Sequence, residues 1–107
     1  MNNSNSFPES KYSGKPNEEY ELHDFYITCY LWCIEGIELA GIEKKREDSQ
    51  KLHFVLYNYS NDNCKDLINN YLNEKDESKV AAKKYAEKIR SLKQIIHSNI
   101  SYKKLIS

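Results

Sequence analysis

Cysteine and histidine are the residues of this chain best suited to bind a metal. The chain has three of each: Cys29, Cys33, Cys64, His23, His53 and His97. Zinc requires four ligands in tetrahedral geometry, and no pair of these cysteines has the two-residue spacing typical of a zinc site. We therefore predict no metal site. Because the number of cysteines is odd and no secretory signal is recognisable, we expect three free thiols in a cytoplasmic protein.

A second group of residues could hydrolyse a phosphodiester. Glu43, Lys44 and Lys45 follow one another on a predicted strand, with Glu35 or Glu38 nearby in sequence. Two carboxylates could hold Mg²⁺ while a lysine stabilises the developing charge, as in metal-dependent nucleases. The same segment is typical of the polar end of a hairpin. Motifs for a serine nucleophile or a phosphate loop are absent, so we predict no enzyme and no cofactor, with the metal-dependent nuclease as an alternative.

The charges of the chain are divided between its two ends. Residues 1–78 carry a net charge of −7 and residues 79–107 a net charge of +7, although the whole chain is neutral. A predicted C-terminal helix aligns five basic side chains: Lys79, Lys83, Arg90, Lys93 and His97. We predict that they form an interaction surface.

This basic surface has three interpretations. Lysines one or two turns apart can follow the phosphates of a nucleic acid. They can equally bind an acidic protein surface, or they can simply form the solvent-exposed face of the helix. Zero net charge and only two arginines in the chain favour a protein partner over nucleic acid, because bidentate base recognition favours arginine.

Aromatic residues are abundant, with nine tyrosines, three phenylalanines and one tryptophan. Tyr57 and Tyr59, at the end of a predicted strand, are candidates for stacking contacts with bases or for a protein interface. Tyr30, Trp32, Tyr71 and Tyr85 have the spacing of core positions on helices. We therefore expect most of these rings in the core or in an interface.

The elements that position these residues begin after a polar N-terminal stretch. Residues 1–19 contain both prolines and few apolar side chains, which predicts a flexible tail followed by one domain over residues 20–107. His23 to Thr28 is rich in aromatic and β-branched residues and predicts a short strand. Thr28 then begins a short helix that Gly36 ends, although one long strand over residues 25–34 remains an alternative.

The remaining elements are a hairpin and two helices. Residues 37–45 and 51–59 predict two strands joined by a turn at residues 46–50, with a bulge at Gly41. Asn61 or Asp62 precedes a helix that ends near Asn73. The last helix begins after Ser78 and extends to about Asn99, with its apolar face formed by Ala81, Tyr85, Ile89, Leu92 and Ile96. The order β-α-β-β-α-α predicts an α+β fold in which helices cover one face of a small antiparallel sheet.

A known family shares this order and spacing. The residues that carry the resemblance are Phe25-Tyr26-Ile27-Thr28, Gly36-Ile37, Phe54-Val55-Leu56, Leu67-Ile68, Tyr71, Tyr85 and Ile89-Arg90-Ser91-Leu92-Lys93. Over residues 23–97 the chain resembles a small domain of unknown function found in bacterial, phage and plasmid genomes. The resemblance implies the fold and a mobile-element setting, and it supplies no catalytic residues.

These observations predict a non-enzymatic interaction protein that binds a larger protein. The mobile-element setting suggests an inhibitor of a host defence system such as a CRISPR effector, and a nucleic-acid-binding accessory protein is the main alternative. The longest apolar run, of ten residues from Phe25 to Ile34, is too short to span a membrane. We expect a monomer or a homodimer.

Overall fold

A computed structural model describes residues 10–43, 52–73 and 81–98 of this protein. These residues form an antiparallel sheet and three helices. The elements in chain order are β1 (Glu18–Leu22), α1 (Phe25–Trp32), β2 (Ile37–Glu43), β3 (His53–Asn58), α2 (Cys64–Leu72) and α3 (Ala82–Ser98). The strand order in the sheet is β1-β3-β2, with both pairings antiparallel. The predicted α+β class and the order β-α-β-β-α-α are therefore confirmed.

The prediction of a strand at His23 to Thr28 is wrong, because most of that segment belongs to α1. The Asp24 side chain accepts a hydrogen bond from the Ile27 amide at 2.9 Å, so Asp24 is the N-cap instead of Thr28. Thr28 lies inside the helix, and its hydroxyl donates to the Asp24 carbonyl at 2.7 Å. Residues 28–32 are all buried. The aromatic and β-branched residues of the predicted strand thus form the first turn of a helix whose later residues are buried.

The first strand lies earlier in the chain than predicted. In β1, Tyr20 and Leu22 pack against the core while Glu19 and Glu21 are exposed, the alternation of a half-buried strand. Glu18 and Glu19 thus fall inside the range assigned to the flexible tail. The division into a tail over residues 1–19 and a domain over residues 20–107 stays a prediction.

The two strands of the hairpin pair as predicted. Their register shifts between Leu39 and Gly41, which confirms the bulge. Gly36 has the expected positive φ, of +95°. However, α1 already ends at Trp32 with Cys33 as C-cap, so Gly36 turns the chain into β2, where its carbonyl accepts from the Tyr59 amide. The turn predicted at residues 46–50 lies outside the described residues.

The last two helices differ from prediction mainly at their beginnings. Asn63, instead of Asn61 or Asp62, caps α2 by accepting from the Asp66 amide at 2.8 Å, and α2 ends before Asn73 as predicted. Ser78 lies outside the described residues. On α3, Leu92 and Ile95 are buried, whereas Ala81, at the predicted apolar face, is exposed.

The core lies between the helices and one face of the sheet. Ile37, Leu39, Phe54 and Leu56 from the strands meet the buried side of α1. Helix α1 also packs against α2 and α3, so it is the centre of the helical layer. Within the described ranges, no helix has the length and apolar character needed to cross a membrane.

Candidate functional site on the last helix

Helix α3 presents one face to the core and the opposite face to solvent. Leu92 and Ile95 are buried, and the Tyr85 hydroxyl donates to the Tyr26 carbonyl of α1 at 3.4 Å. These contacts fix the rotation of α3 about its axis. They therefore decide which of its basic residues reach solvent.

Three of the predicted basic residues form an exposed surface that we call the basic ridge: Lys83, Arg90 and Lys93. At about 100° per residue, Lys83 and Arg90 lie roughly opposite the buried Leu92, and Lys93 lies closer to Ile89. His97 is exposed as well. Lys79, the fifth predicted residue, lies outside the described residues. The structure thus exposes three of the predicted lysine and arginine side chains on α3, while their role stays a prediction.

A second pair of lysines lies on the other flank of α3. Lys84 and Lys88 line a cleft of about 270 Å³ with the end of α1, the start of β2 and the N-terminal segment. The Lys88 Nζ atom lies 4.2 Å from the centroid of the Trp32 ring, which is only 7% exposed. This cleft was not predicted from the sequence. The sequence contains one indication of the cleft: Lys88 precedes Leu92 by four residues, so both side chains lie on the same face of α3.

The environment of Lys88 is unfavourable for a positive charge. Burial lowers the pKa of the Lys88 ammonium below its ordinary value; the charges of Lys84 and Lys11 add to this effect, while Cys33 and Glu87 act against it. Among the described residues, Lys88 forms no salt bridge with a carboxylate. The Trp32 ring provides a cation–π contact in place of an anion.

The N-terminal segment closes one side of this cleft. The Tyr12 ring stacks on Tyr59 with centroids 4.9 Å apart, and its hydroxyl donates to Glu35 at 3.3 Å. The Ser10 hydroxyl and the Lys11 amide donate to the Glu38 carboxylate at 2.6 and 2.8 Å. Residues 10–12 are therefore held against the folded domain.

The two tyrosines predicted as aromatic contacts lie apart from the basic ridge. Tyr57 is half-buried and lies between Glu19 and Glu38 in the sheet register. Tyr59 is stacked by Tyr12. The structure therefore does not combine these rings with the basic ridge into one surface.

The cysteines are unsuited to react in the folded protein. Cys29, Cys33 and Cys64 are free and buried. Burial, with smaller contributions from neighbouring groups, raises the pKa of Cys29 and of Cys64 to about 12. Within the described residues, no three histidine, cysteine or acidic side chains are grouped as metal ligands.

The carboxylates proposed for a nuclease do not meet. Glu43 pairs with His53 and Glu38 pairs with Tyr57, so four residues of β3, or about 13 Å, separate their positions. Glu35 lies still farther along, before β2 begins, and accepts from the Tyr12 hydroxyl. Lys44 and Lys45 fall outside the described residues. The pairing of Glu43 with Glu38 at one metal ion is therefore wrong on geometry.

Comparison with known proteins identifies one family. No curated protein and no solved structure matches the chain. A family described as a domain of unknown function, DUF5659, matches residues 17–98, from the residue before β1 to the last residue of α3. This match covers most of the chain and confirms the resemblance inferred from its core positions. The chain belongs to the DUF5659 family of domains of unknown function.

Proposed function

We propose that this protein is a non-enzymatic interaction module that binds an acidic surface of a larger protein through the basic ridge. The exposure of Lys83, Arg90 and Lys93 on one rigid helix is the observation that supports the proposal most. None of the three forms a salt bridge with a carboxylate in the described part of the chain. No carboxylate of that part of the chain therefore neutralises their charges by an ion pair.

The basic ridge is large enough to form part of a protein interface, but not all of it. Lys83 and Arg90 to Lys93 extend over about 15 Å of helix. A stable interface buries about 800 Å² on each partner, so neighbouring exposed residues would also take part. Opposite charge on the partner would accelerate association and orient the complex. The specific form of the proposal is a mobile-element protein that inhibits a host defence protein, such as a CRISPR effector.

Charge reversal on the ridge tests the proposal. The tagged wild-type protein should retain a protein from host lysate at moderate salt, and Lys83→Glu/Arg90→Glu should retain at least about tenfold less. Lys15→Glu/Lys65→Glu is the matched control, because it makes the same charge change at two exposed lysines away from α3. Retention of no protein at low or moderate salt would overturn the proposal. Equal retention by the ridge variant would exclude the ridge as the interface.

Two further assays separate the alternatives. A gel shift at low salt that disappears in the ridge variant and depends steeply on salt would indicate nucleic-acid binding instead. Incubation of plasmid or RNA with Mg²⁺ or Mn²⁺ tests for nuclease activity. Metal-dependent cleavage would contradict the non-enzymatic character proposed above.

A further inference from the structure

The cleft beside Trp32 concentrates positive charge in a concave site. Lys84 and Lys88 lie one turn apart on α3, and Lys11 reaches the same cleft from the N-terminal segment. Both Lys84 and Lys11 are close enough to Lys88 to disfavour its charged form. Like charges gathered in this way repel one another, and an anion bound between them would remove that repulsion.

The position of Lys88 in the cleft would favour binding of an anion to its ammonium group. It is half-buried, its Nζ atom lies over the Trp32 ring, and no described carboxylate forms a salt bridge with it. A partly desolvated ammonium interacts more strongly with a bound anion than an exposed one does. A lysine in such an environment within a cleft is a recognised mark of a binding site.

Two carboxylates also line the cleft and must be taken into account. Glu38 accepts hydrogen bonds from the Ser10 hydroxyl and the Lys11 amide, and Glu35 accepts one from the Tyr12 hydroxyl. Their oxygens are thus engaged by the N-terminal segment. The three lysines of the lining exceed its two carboxylates, so the lining itself has a net positive charge. Glu87 lies outside the lining but is near enough to favour the charged form of Lys88.

We propose that this cleft binds a small oxyanion of the phosphate type, held by the ammonium groups of Lys84, Lys88 and Lys11. The cleft, at about 270 Å³, lies below the range of about 300 to 1,000 Å³ of sites for larger ligands, which favours a compact group. Lysine provides a point charge with three donors, which suits a tetrahedral phosphate. Inorganic phosphate and a phosphate monoester share this chemistry.

The fluorescence of Trp32 offers a direct test, because Trp32 is the only tryptophan of the chain. The wild-type protein is titrated with inorganic phosphate and, separately, with ribose 5-phosphate, while NaCl keeps the ionic strength constant. A saturable change with both ligands supports the proposal, and tighter binding of one identifies its source. The absence of a saturable change with either ligand overturns it.

Adjacent lysines provide a matched pair of variants. Lys84 lines the cleft, whereas Lys83 is on the ridge. Lys84→Gln should weaken binding about tenfold or more, which corresponds to the loss of one charge-assisted hydrogen bond. Lys83→Gln, with the same change of charge, should weaken it less than about twofold. Equal weakening would show nonspecific attraction and would overturn the proposal.

Lys88→Met extends the test to the residue over Trp32. Methionine keeps an unbranched side chain beside the ring and removes the charge, and the fold of the variant is verified first by circular dichroism. Saturable phosphate binding should be lost in this variant. Unchanged binding by a folded Lys88→Met protein would overturn the assignment of Lys88. Since the basic ridge takes no part, failure here leaves the proposed protein interface untouched.

Discussion

Asn58 and Glu18 join the end of β3 to the start of β1 through one hydrogen bond, in which Asn58 Nδ2 donates to Glu18 Oε1 at 2.9 Å. The same carboxylate oxygen accepts from the Cys64 amide at 2.9 Å, so Glu18 also holds the first turn of α2. Asn58 is 1% exposed. Its Oδ1 atom accepts from the Ser60 amide and hydroxyl at 2.8 and 2.6 Å. One buried amide therefore connects β1, β3, the following loop and α2.

Replacement of Asn58 by alanine should destabilise the fold strongly. The substitution removes the hydrogen bonds of a buried amide to its partly buried partners, at a cost of about 1–3 kcal/mol. Urea denaturation monitored by circular dichroism measures the free energy of unfolding. Asn70→Ala is the control, because Asn70 is exposed on α2. Equal stability of the two variants would show that the Asn58 network contributes little.

Gly36 should tolerate alanine poorly. Its φ is +95°, and a Cβ atom there would lie 3.1 Å from both the backbone nitrogen and Cβ of Ser60. We expect Gly36→Ala to lower the free energy of unfolding by more than the roughly 1–2 kcal/mol of the left-handed backbone alone. Gly14 isolates the backbone contribution, since it also has a positive φ but no atom within 4 Å of the added Cβ. Thermal unfolding should thus give a lower midpoint for Gly36→Ala than for Gly14→Ala, and the reverse order would contradict the close approach to Ser60.

The buried thiols should make the protein less stable at alkaline pH. Burial raises the pKa of Cys64 from 9.0 to about 12, and the nearby Glu18 carboxylate adds to this effect. Between these values the unfolded chain loses the thiol proton while the native protein keeps it. Deprotonation therefore favours unfolding, and the stability present below pH 9 decreases as the pH rises towards 12.

Urea midpoints at about pH 8, 9, 10 and 11 begin below the lower pKa of Cys64 and reach well into the interval in which stability is lost, so they measure this effect. The wild-type midpoint should decrease over this range, and the decrease should be shallower in Cys64→Ala, which lacks one of the titrating thiols. Other buried groups, including Cys29, keep part of the slope in the variant. An identical slope in both proteins would contradict the assignment to Cys64. In a separate measurement, a thiol reagent at about pH 8 should react slowly with the native protein and rapidly in urea.

Local sequence patterns predict the fold class, but they do not predict where the first strand and the first helix begin. The hairpin and α2 have clear apolar periodicity, and the slip in that periodicity at Gly41 correctly predicts the bulge. The sequence pattern does not predict strand β1, because three of its five residues are glutamates. These residues are ordered by pairing with β3. The first four residues of α1, Phe25 to Thr28, are aromatic or β-branched and so have the composition of a strand, although the helix predicted after Thr28 does overlap the second half of α1.

Local sequence patterns also predict only one of the two candidate surfaces. The basic ridge could be predicted because the angular positions of Lys83, Arg90 and Lys93 depend on helix geometry alone. The cleft could not, since Lys11, Trp32 and Lys88 come from three distant segments that only tertiary packing brings together. The N-terminal segment was predicted to be flexible on composition. Its hydrogen bonds to Glu38 and the stacking of Tyr12 depend on residues far along the chain.

Loss of the Tyr12 ring should release the N-terminal segment from the folded domain. Tyr12 stacks on Tyr59 at an interplanar angle of 16°, a contact worth about 0.5–1.5 kcal/mol. Trypsin should therefore cleave after Lys11 several times faster in Tyr12→Ala than in the wild-type protein, because local release exposes the backbone. Tyr26→Ala is the control, since Tyr26 is 52% exposed. Equal cleavage rates in all three proteins would show that the stacking does not restrain this segment, and the boundary of the tail would then lie nearer β1.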